Sequence, residues 1–461
     1  MWLGISVILY LIVSILIGIW ASFKVKTGED FILAGRSLPL HITTAALFAT
    51  WFGSETVLGA SSVFYQKGIY GIIEDPFGAS LCLIILGLVF VKPLYKMNVL
   101  TFGDFYREKF GPTVELLASV LLIVTYIGWI AGQFVALGLI FESILGIPFI
   151  WSLILGASVV VAYTYLGGMW SVSITDFFQM IIIIVGLIIC FIFIGQKVSF
   201  KEALNSVPSS HFDFFRKGNA VLYLNYLAMW MTIGLGSLPQ QDIFQRVMSS
   251  KSVKVAQWGS IIAGLMYLTI AMIPIALVLY AKVLLTKNGI IIDEQHILPQ
   301  LILQECPLWV QVMFFGALLS AVMSTASGAL LAPSTILSEN IFNHFIFKNK
   351  ELNILKYSRL SVLILAIISF FLAFQNQDIY QLVAGSNALS LVGLFVPLTG
   401  GLFFKRFGQK SALASIILGI LCWGIAIALN TEVSPLIYGL TGSLIGGIFT
   451  MIYTNTTVKD N

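Results

Sequence analysis

Residues 320–328 read Ser-Ala-Val-Met-Ser-Thr-Ala-Ser-Gly. On a helix, Ala321, Ser324 and Thr325 stand three and four apart and share one face. Two hydroxyls and a carbonyl there offer three neutral oxygens, the donor set of a hard monovalent cation. Neutral donors hold such an ion weakly enough to release it. A packing reading stands beside this one. Gly316, Ser320, Ser324 and Gly328 are small residues at spacing four, as close helix contacts require, and on spacing alone packing is the more ordinary explanation.

A second polar interruption runs through Thr50, Trp51, Phe52, Gly53, Ser54, Glu55 and Thr56, in the middle of an apolar stretch. Gly53 beside Ser54 loosens a helix, and Glu55 puts a carboxylate at membrane depth, where charge is expensive and marks function or packing. A broken helix frees carbonyls and N–H groups that bind cations and anions respectively. A continuous helix with Glu55 bonded to a neighbour remains open. A third interruption, Gly234, Gly236, Ser237, Pro239, Gln240, Gln241 and Asp242, contains a proline that removes a backbone donor. It reads as a break within the span, against the alternative of a helix ending there before Arg246. Trp51 and Trp129 sit mid-span beside polar or small residues, Trp129 being followed by Ala131, Gly132 and Gln133, and either could wall a substrate or simply pack. Asp176, five residues into its span, reads most safely as a solvated helix-start acid favoured by the dipole, or else as a carboxylate reaching into the bundle.

These residues need helices to carry them, and the composition supplies little else. Of 461 residues 58% are hydrophobic and 10% charged, with mean hydropathy +0.97, against about 25% charged in soluble domains. A water-soluble enzyme is excluded on that ground. The formal net charge of +4 is too small to point to nucleic acid. Cys82, Cys190, Cys306 and Cys422 lie scattered in apolar runs without ligand spacing and read as small buried hydrophobes. At roughly 20 apolar residues per span, the expectation is an all-α polytopic membrane protein with thirteen spans, near 3–22, 40–66, 72–92, 114–141, 148–167, 171–195, 221–240, 256–281, 307–338, 357–375, 378–404, 411–429 and 434–454. With the amino terminus outside, 18 of the 25 Lys and Arg fall in inner segments and 7 in outer ones, as the positive-inside rule demands. The carboxyl terminus is then cytoplasmic. The first span has no basic residue before its apolar run, and Lys24 and Lys26 follow it, so it reads as an uncleaved anchor. Two interrupted spans five apart suggest an inverted repeat of spans 2–6 and 7–11 around a midplane site.

Five ordered motifs resemble the sodium:solute symporter family between about residues 5 and 450: FILAGRSLP at 31–39, AxxFGSExxxG at 49–59, GGMWSVSITDFFQ at 167–179, PQQDIFQRVMSS at 239–250 and SAVMSTASG at 320–328. The resemblance implies a leucine-transporter-like fold in a single transporter domain. In it, 3–22 is an extra helix, 40–195 the first five-helix repeat, 221–404 the second and 411–454 two further helices. It implies sodium-coupled uptake of a small organic solute by alternating access. By resemblance one sodium is held by the carbonyls of Ala49, Phe52 and Ala321 and the hydroxyls of Ser324 and Thr325. A second sodium site found in some members would use Asp176 and Ser327, although Gly328 stands where another hydroxyl is expected. The substrate path would involve Trp51, Glu55, Thr56, Trp129, Gln133, Ser237 and Gln240. The motifs look closest to the choline and proline branches. Trp51 and Trp129 match two tryptophans of the choline cage, Gln240 replaces a third, and Ile233 and Ser237 replace aromatic residues of the proline pocket. Glu55, Glu74 and Asp75, if they face the path, favour a solute with a cationic amine.

The expected partners are therefore the bilayer, sodium and a small amine such as proline, choline or betaine, with a sugar or carboxylate as the alternative cargo. A membrane sensor or channel is the alternative from another class. No GxxxxGK[ST] loop occurs, so no nucleotide partner is expected. His41, His211, His296 and His344 fall at span ends or loops, and HExxH and GxSxG are absent, so no enzyme is expected.

Overall fold

The computed structural model describes residues 2–289, 296–348, 353–375, 382 and 387–459. Among them the chain is helical, with one isolated parallel bridge between Leu38 and Ser250 and no strand. In chain order the main elements are α1 (Trp2–Ser22), α2 (Leu40–Ala49), α3 (Ala60–Lys67), α4 (Ile69–Met97), α5 (Phe102–Phe110), α6 (Pro112–Leu145), α7 (Phe149–Gly195), α8 (Ala220–Gly234), α9 (Gln241–Met248), α10 (Val253–Lys287), α11 (Leu308–Ile336), α12 (Ile354–Gln375), α13 (Asn387–Phe403), α14 (Gln409–Ala428) and α15 (Pro435–Lys459). Nine helices among the described residues are long and apolar enough to cross a membrane, and α2, α8 and α13 are shorter apolar ones.

Helix α7 has 47 residues. At 1.5 Å per residue a straight helix of that length would be about 70 Å, more than twice the ~30 Å hydrocarbon core. It bends at Gly168, where φ is +48° and ψ −135°. A Cβ there would lie 2.4 Å from the Phe31 carbonyl oxygen. Glycine is therefore needed for both the backbone angle and the close approach.

The second expected span divides into α2 and α3, with a turn at 50–53 and a π-helical stretch, Glu55–Gly59, between them. The seventh divides likewise. Helix α8 stops at Gly234, residues 235–240 turn, and α9 resumes with all eight of its residues buried. The break thus lies inside the protein, where Pro239 and the two glycines predicted it.

Helix α11 is the central strut. The most apolar stretch of Leu308–Ile346 is 94% buried, against 22–56% for the corresponding stretches of the other long helices. It packs on α6 and α7, while α2 lies against α10 and α14 against α15. Its hydroxyls therefore face protein rather than lipid, where they would lack partners. A polar cluster joins α5, α6 and the π-helical segment Leu337–Ile346. Asn340 Nδ2 donates to Asp104 at 2.8 Å and to Glu115 at 3.0 Å, and Thr101 caps α5.

Candidate functional site

The turn at 50–53 lies against α11, and Gly53 sets the distance. A Cβ on Gly53 would sit 2.6 Å from Thr325 Oγ1. That hydroxyl is buried and has no hydrogen-bond partner in the protein. On the preceding residue, Ser324 Oγ lies 3.1 Å from the Ala49 carbonyl oxygen and 2.5 Å from Asp176 Oδ1. A hydroxyl has a single proton. When Ser324 gives it to the carboxylate, its lone pairs stay free beside the Ala49 carbonyl. Phe52 and Ala321 are fully buried in the same region, Phe52 stacked on Phe48 at 4.8 Å. The structure thus brings Ala49, Ser324 and Thr325 together where the last carbonyl of α2 meets the middle of α11. It also weakens the packing explanation for residues 316–328. A Cβ on Gly316 would meet only Ile182, at 3.9 Å, and Ser320 bonds Tyr10 and the Gly316 carbonyl instead of lining a tight seam.

The solvated reading of Asp176 is overturned. The residue is fully buried, and its second oxygen accepts from Arg246 Nη2 at 3.2 Å. Bending of α7 at Gly168 carries the residues that follow into the bundle, which sequence position alone could not reveal. Ser327 is buried too, but its hydroxyl is given to the Ser324 carbonyl at 2.9 Å.

A small cavity of about 10 Å³ adjoins the break in the second span. Trp51, Glu55, Asp75, Ala79, Trp129, Ile233, Ser237, Tyr267 and Asn387 line it. Of the residues expected on the substrate path, Trp51, Glu55, Trp129 and Ser237 reach the wall. Thr56, Gln133 and Gln240 lie directly behind it. Gln133 Nε2 and Trp129 Nε1 donate to one oxygen of Glu55, at 3.2 and 2.9 Å. Thr56 Oγ1 lies 2.7 Å from Asp75 Oδ2 and also meets Tyr267. Gln240 Nε2 and Ser237 Oγ both donate to Asn387 Oδ1, at 2.7 and 3.2 Å.

Asp75 faces the cavity, and its Oδ1 is buried without a partner. Glu74 does not line it and accepts from Thr232 at 3.4 Å. Trp51 donates its indole N–H to Asp242 at 3.2 Å, and Tyr126, stacked on Trp129 at 5.7 Å, donates to the same carboxylate. The wall therefore has two carboxylates, three aromatic rings and the neutral amide and hydroxyl groups of Asn387 and Ser237. Tyr267 and Asn387 were not singled out in the sequence, Tyr267 lying in a mainly apolar run and Asn387 beside Ser386 near small residues.

Comparison with known proteins agrees with this architecture. High-affinity choline transporter 1 of Drosophila melanogaster is 28% identical over 426 residues, 88% of this chain and 68% of that protein. Sodium/proline symporter 2 of Staphylococcus saprophyticus is 27% identical over 484 residues, covering 98% and 92%. The solved structure of a Na+-coupled sialic acid symporter, outward-open with substrate bound, superposes with TM-score 0.86 at 20% identity over 98% of each chain. The fold is that leucine-transporter-like one, and the model of the sodium:solute symporter family matches residues 31–419. The chain belongs to the sodium:solute symporter family.

Proposed function

We propose that the protein imports a small organic cation, an amine without a carboxylate such as choline, together with sodium, through the cell (inner) membrane by alternating access. Sodium-coupled symport of a small solute follows from the family. The cargo is argued from the cavity. Glu55 and Asp75 both face it, and a buried carboxylate oxygen such as Asp75 Oδ1 is stabilised by a cation it can touch. Trp51, Trp129 and Tyr267 offer ring faces, which attract a quaternary or protonated amine. The similarity to choline transporters points the same way.

A zwitterion such as proline is the second reading. The neutral groups of Ser237 and Asn387 in the cavity wall support it, since they could receive a carboxylate.

Sodium would be held by the Ala49, Phe52 and Ala321 carbonyls with Ser324 and Thr325. The observation that carries this is the orphaned Thr325 hydroxyl, packed against Gly53 beside the Ser324–Ala49 contact. Two inverted five-helix repeats, 40–195 and 221–404, would position that site. Thirteen spans are consistent with nine long helices, one of them bent, and three shorter ones. The amino terminus would lie outside and the carboxyl terminus in the cytoplasm. The fused-sensor and channel readings, like an enzyme, gain nothing from the site.

Uptake into proteoliposomes tests the proposal. Ser324→Ala combined with Thr325→Ala is expected to abolish sodium-stimulated uptake with protein yield retained. Unchanged sodium dependence would falsify the assigned cation site. Thermal shift with choline, betaine, proline, carboxylates and sugars, with and without sodium, identifies the cargo. A sodium-dependent shift with choline is expected, and one with proline alone supports the second reading.

A further inference from the structure

The cavity wall carries negative charge that nothing beside it balances. Glu55 and Asp75 both line it, and among the described residues no lysine, arginine or histidine does. Glu74, the next residue back, adds a third carboxylate, turned to Thr232. Of the elements packed around Asp75, α8 has no charged residue and α10 presents the neutral Tyr267. Asp242, another acid, lies behind Trp51, and the buried Arg246 guanidinium is held by Asp176 and the Asp242 carbonyl. At about 10 Å³ the cavity has room for about one water molecule. Glu55 and Asp75 therefore confront each other across a short gap.

The two acids are not equivalent. Glu55 Oε1 accepts from the Trp129 and Gln133 N–H groups, donors that suit an ionised carboxylate. Asp75 Oδ2 meets only the Thr56 hydroxyl at 2.7 Å, and Thr56 also contacts Tyr267. Asp75 Oδ1 is buried and receives no hydrogen bond. Two carboxylates sharing one buried site do not both stay ionised without a cation, and they titrate as a pair. Glu55, with its two donors, keeps the charge. The shared proton belongs on Asp75.

We propose that Glu55 and Asp75 hold one proton whenever the solute is absent, that the cationic solute displaces it, and that the protein therefore exports one proton for each solute it imports. The inference rests on the amine cargo proposed above and adds a counter-substrate to it. On the outside, the amine parts the two acids, the Asp75 O–H bond breaks, and the proton passes to external water. Two carboxylates then face one organic cation. On the inside, the amine and sodium leave, and Asp75 takes a proton from cytoplasmic water. The site can then close and return without two bare charges in it. Amine and proton exclude each other, so exchange follows from alternating access alone. Each cycle carries one positive charge fewer inward than sodium and amine together would.

Calorimetric titration of the purified full chain with choline, at saturating sodium and neutral pH, counts the protons. Run in buffers of different ionisation enthalpy, the native protein is expected to release close to one proton per choline bound. Asp75→Asn is expected to bind more weakly, with the same heat in every buffer. In proteoliposomes with equal sodium on both sides and the potential clamped at zero, an acid interior is expected to drive choline several-fold above the equal-pH control. Heat that is the same in every buffer for the native protein, or uptake indifferent to the pH gradient, would overturn the exchange while leaving the cargo in place. If Asp75→Asn binds no choline, the native measurements decide alone. A native chain that gives neither heat nor thermal shift with choline overturns the cargo reading instead. Proline is then titrated in the same buffers, its ammonium being expected to release the proton, and proline binding without release overturns the exchange as well.

Discussion

At the scale of single residues, the cavity combines groups that were visible in the sequence with groups that were not. Glu55, Trp51 and Trp129 stand out because each interrupts an apolar run, and all three line the wall. Thr56, Gln133 and Gln240 stand out for the same reason yet lie one layer back, because polarity in a span marks a buried network and not which of its members is outermost. Tyr267 lies in an unbroken apolar stretch of α10 and becomes part of the wall only because α10 packs on α2. The two carboxylates differ in their partners, and this gives a prediction. Glu55 has both donors on one oxygen, whereas Asp75 has an unpartnered one. Two opposite unit charges about 4 Å apart attract by about 4 kcal/mol at an effective dielectric constant of about 20, so Asp75→Asn should weaken choline binding about tenfold or more, read by competition in uptake. Sodium affinity in the same variant should change little, and equal losses in both would assign Asp75 to folding. Trp51 has two roles that can be separated. Trp51→Phe keeps a ring face but loses the bond to Asp242, so it should retain more solute affinity than Trp51→Ala. Equal affinities for the two variants would remove the ring from the account.

At the scale of elements, the breaks in the second and seventh spans were legible because glycine and proline in an apolar run have few other uses there. The π-helical segments, Glu55–Gly59 and Leu337–Ile346 among them, were not. They shift the register by one residue and leave the composition unchanged. The inward course of Asp176 was hidden for a related reason. It depends on the bend at Gly168, and a Gly-Gly pair announces a bend without its direction. Two glycines therefore predict different defects. Gly168→Ala places a Cβ where φ is +48° and against the Phe31 carbonyl. A left-handed non-glycine residue costs roughly 1–2 kcal/mol before any clash, so thermal stability should fall by a few degrees or more, with or without sodium. Gly53→Ala places its methyl 2.6 Å from Thr325 Oγ1, at a turn position with no left-handed strain. Its main effect should be a raised half-saturating sodium concentration, with basal melting temperature nearly unchanged. A Gly53→Ala protein that loses stability but binds sodium normally would mean that the turn serves packing alone.

At the scale of the whole molecule, the sodium gradient sets the direction of symport, and orientation decides which face of the protein is the entry side. Moving one positive charge inward across 100 mV is worth about 2.3 kcal/mol, and that work is available whichever way round the protein sits. The distribution of Lys and Arg, 18 against 7, rests on an alternation that an odd number of spans between any inner and outer pair must preserve. Lys201 and Lys405 test it sharply. Both are exposed, and between them lie the interrupted pair α8 and α9, then α10, α11, α12 and α13, counted as five passes. In a background with Cys82, Cys190, Cys306 and Cys422 changed to serine, Lys201→Cys should react with a membrane-impermeant maleimide in intact cells. Lys405→Cys should react only after permeabilisation. The reversed pattern would invert the proposed orientation, although the same sodium gradient would still drive uptake. Labelling of both from one side would mean an even number of passes between them. The second repeat would then lack a span, and the inverted symmetry proposed to bring Ser324 and Thr325 to the break in the second span would fail.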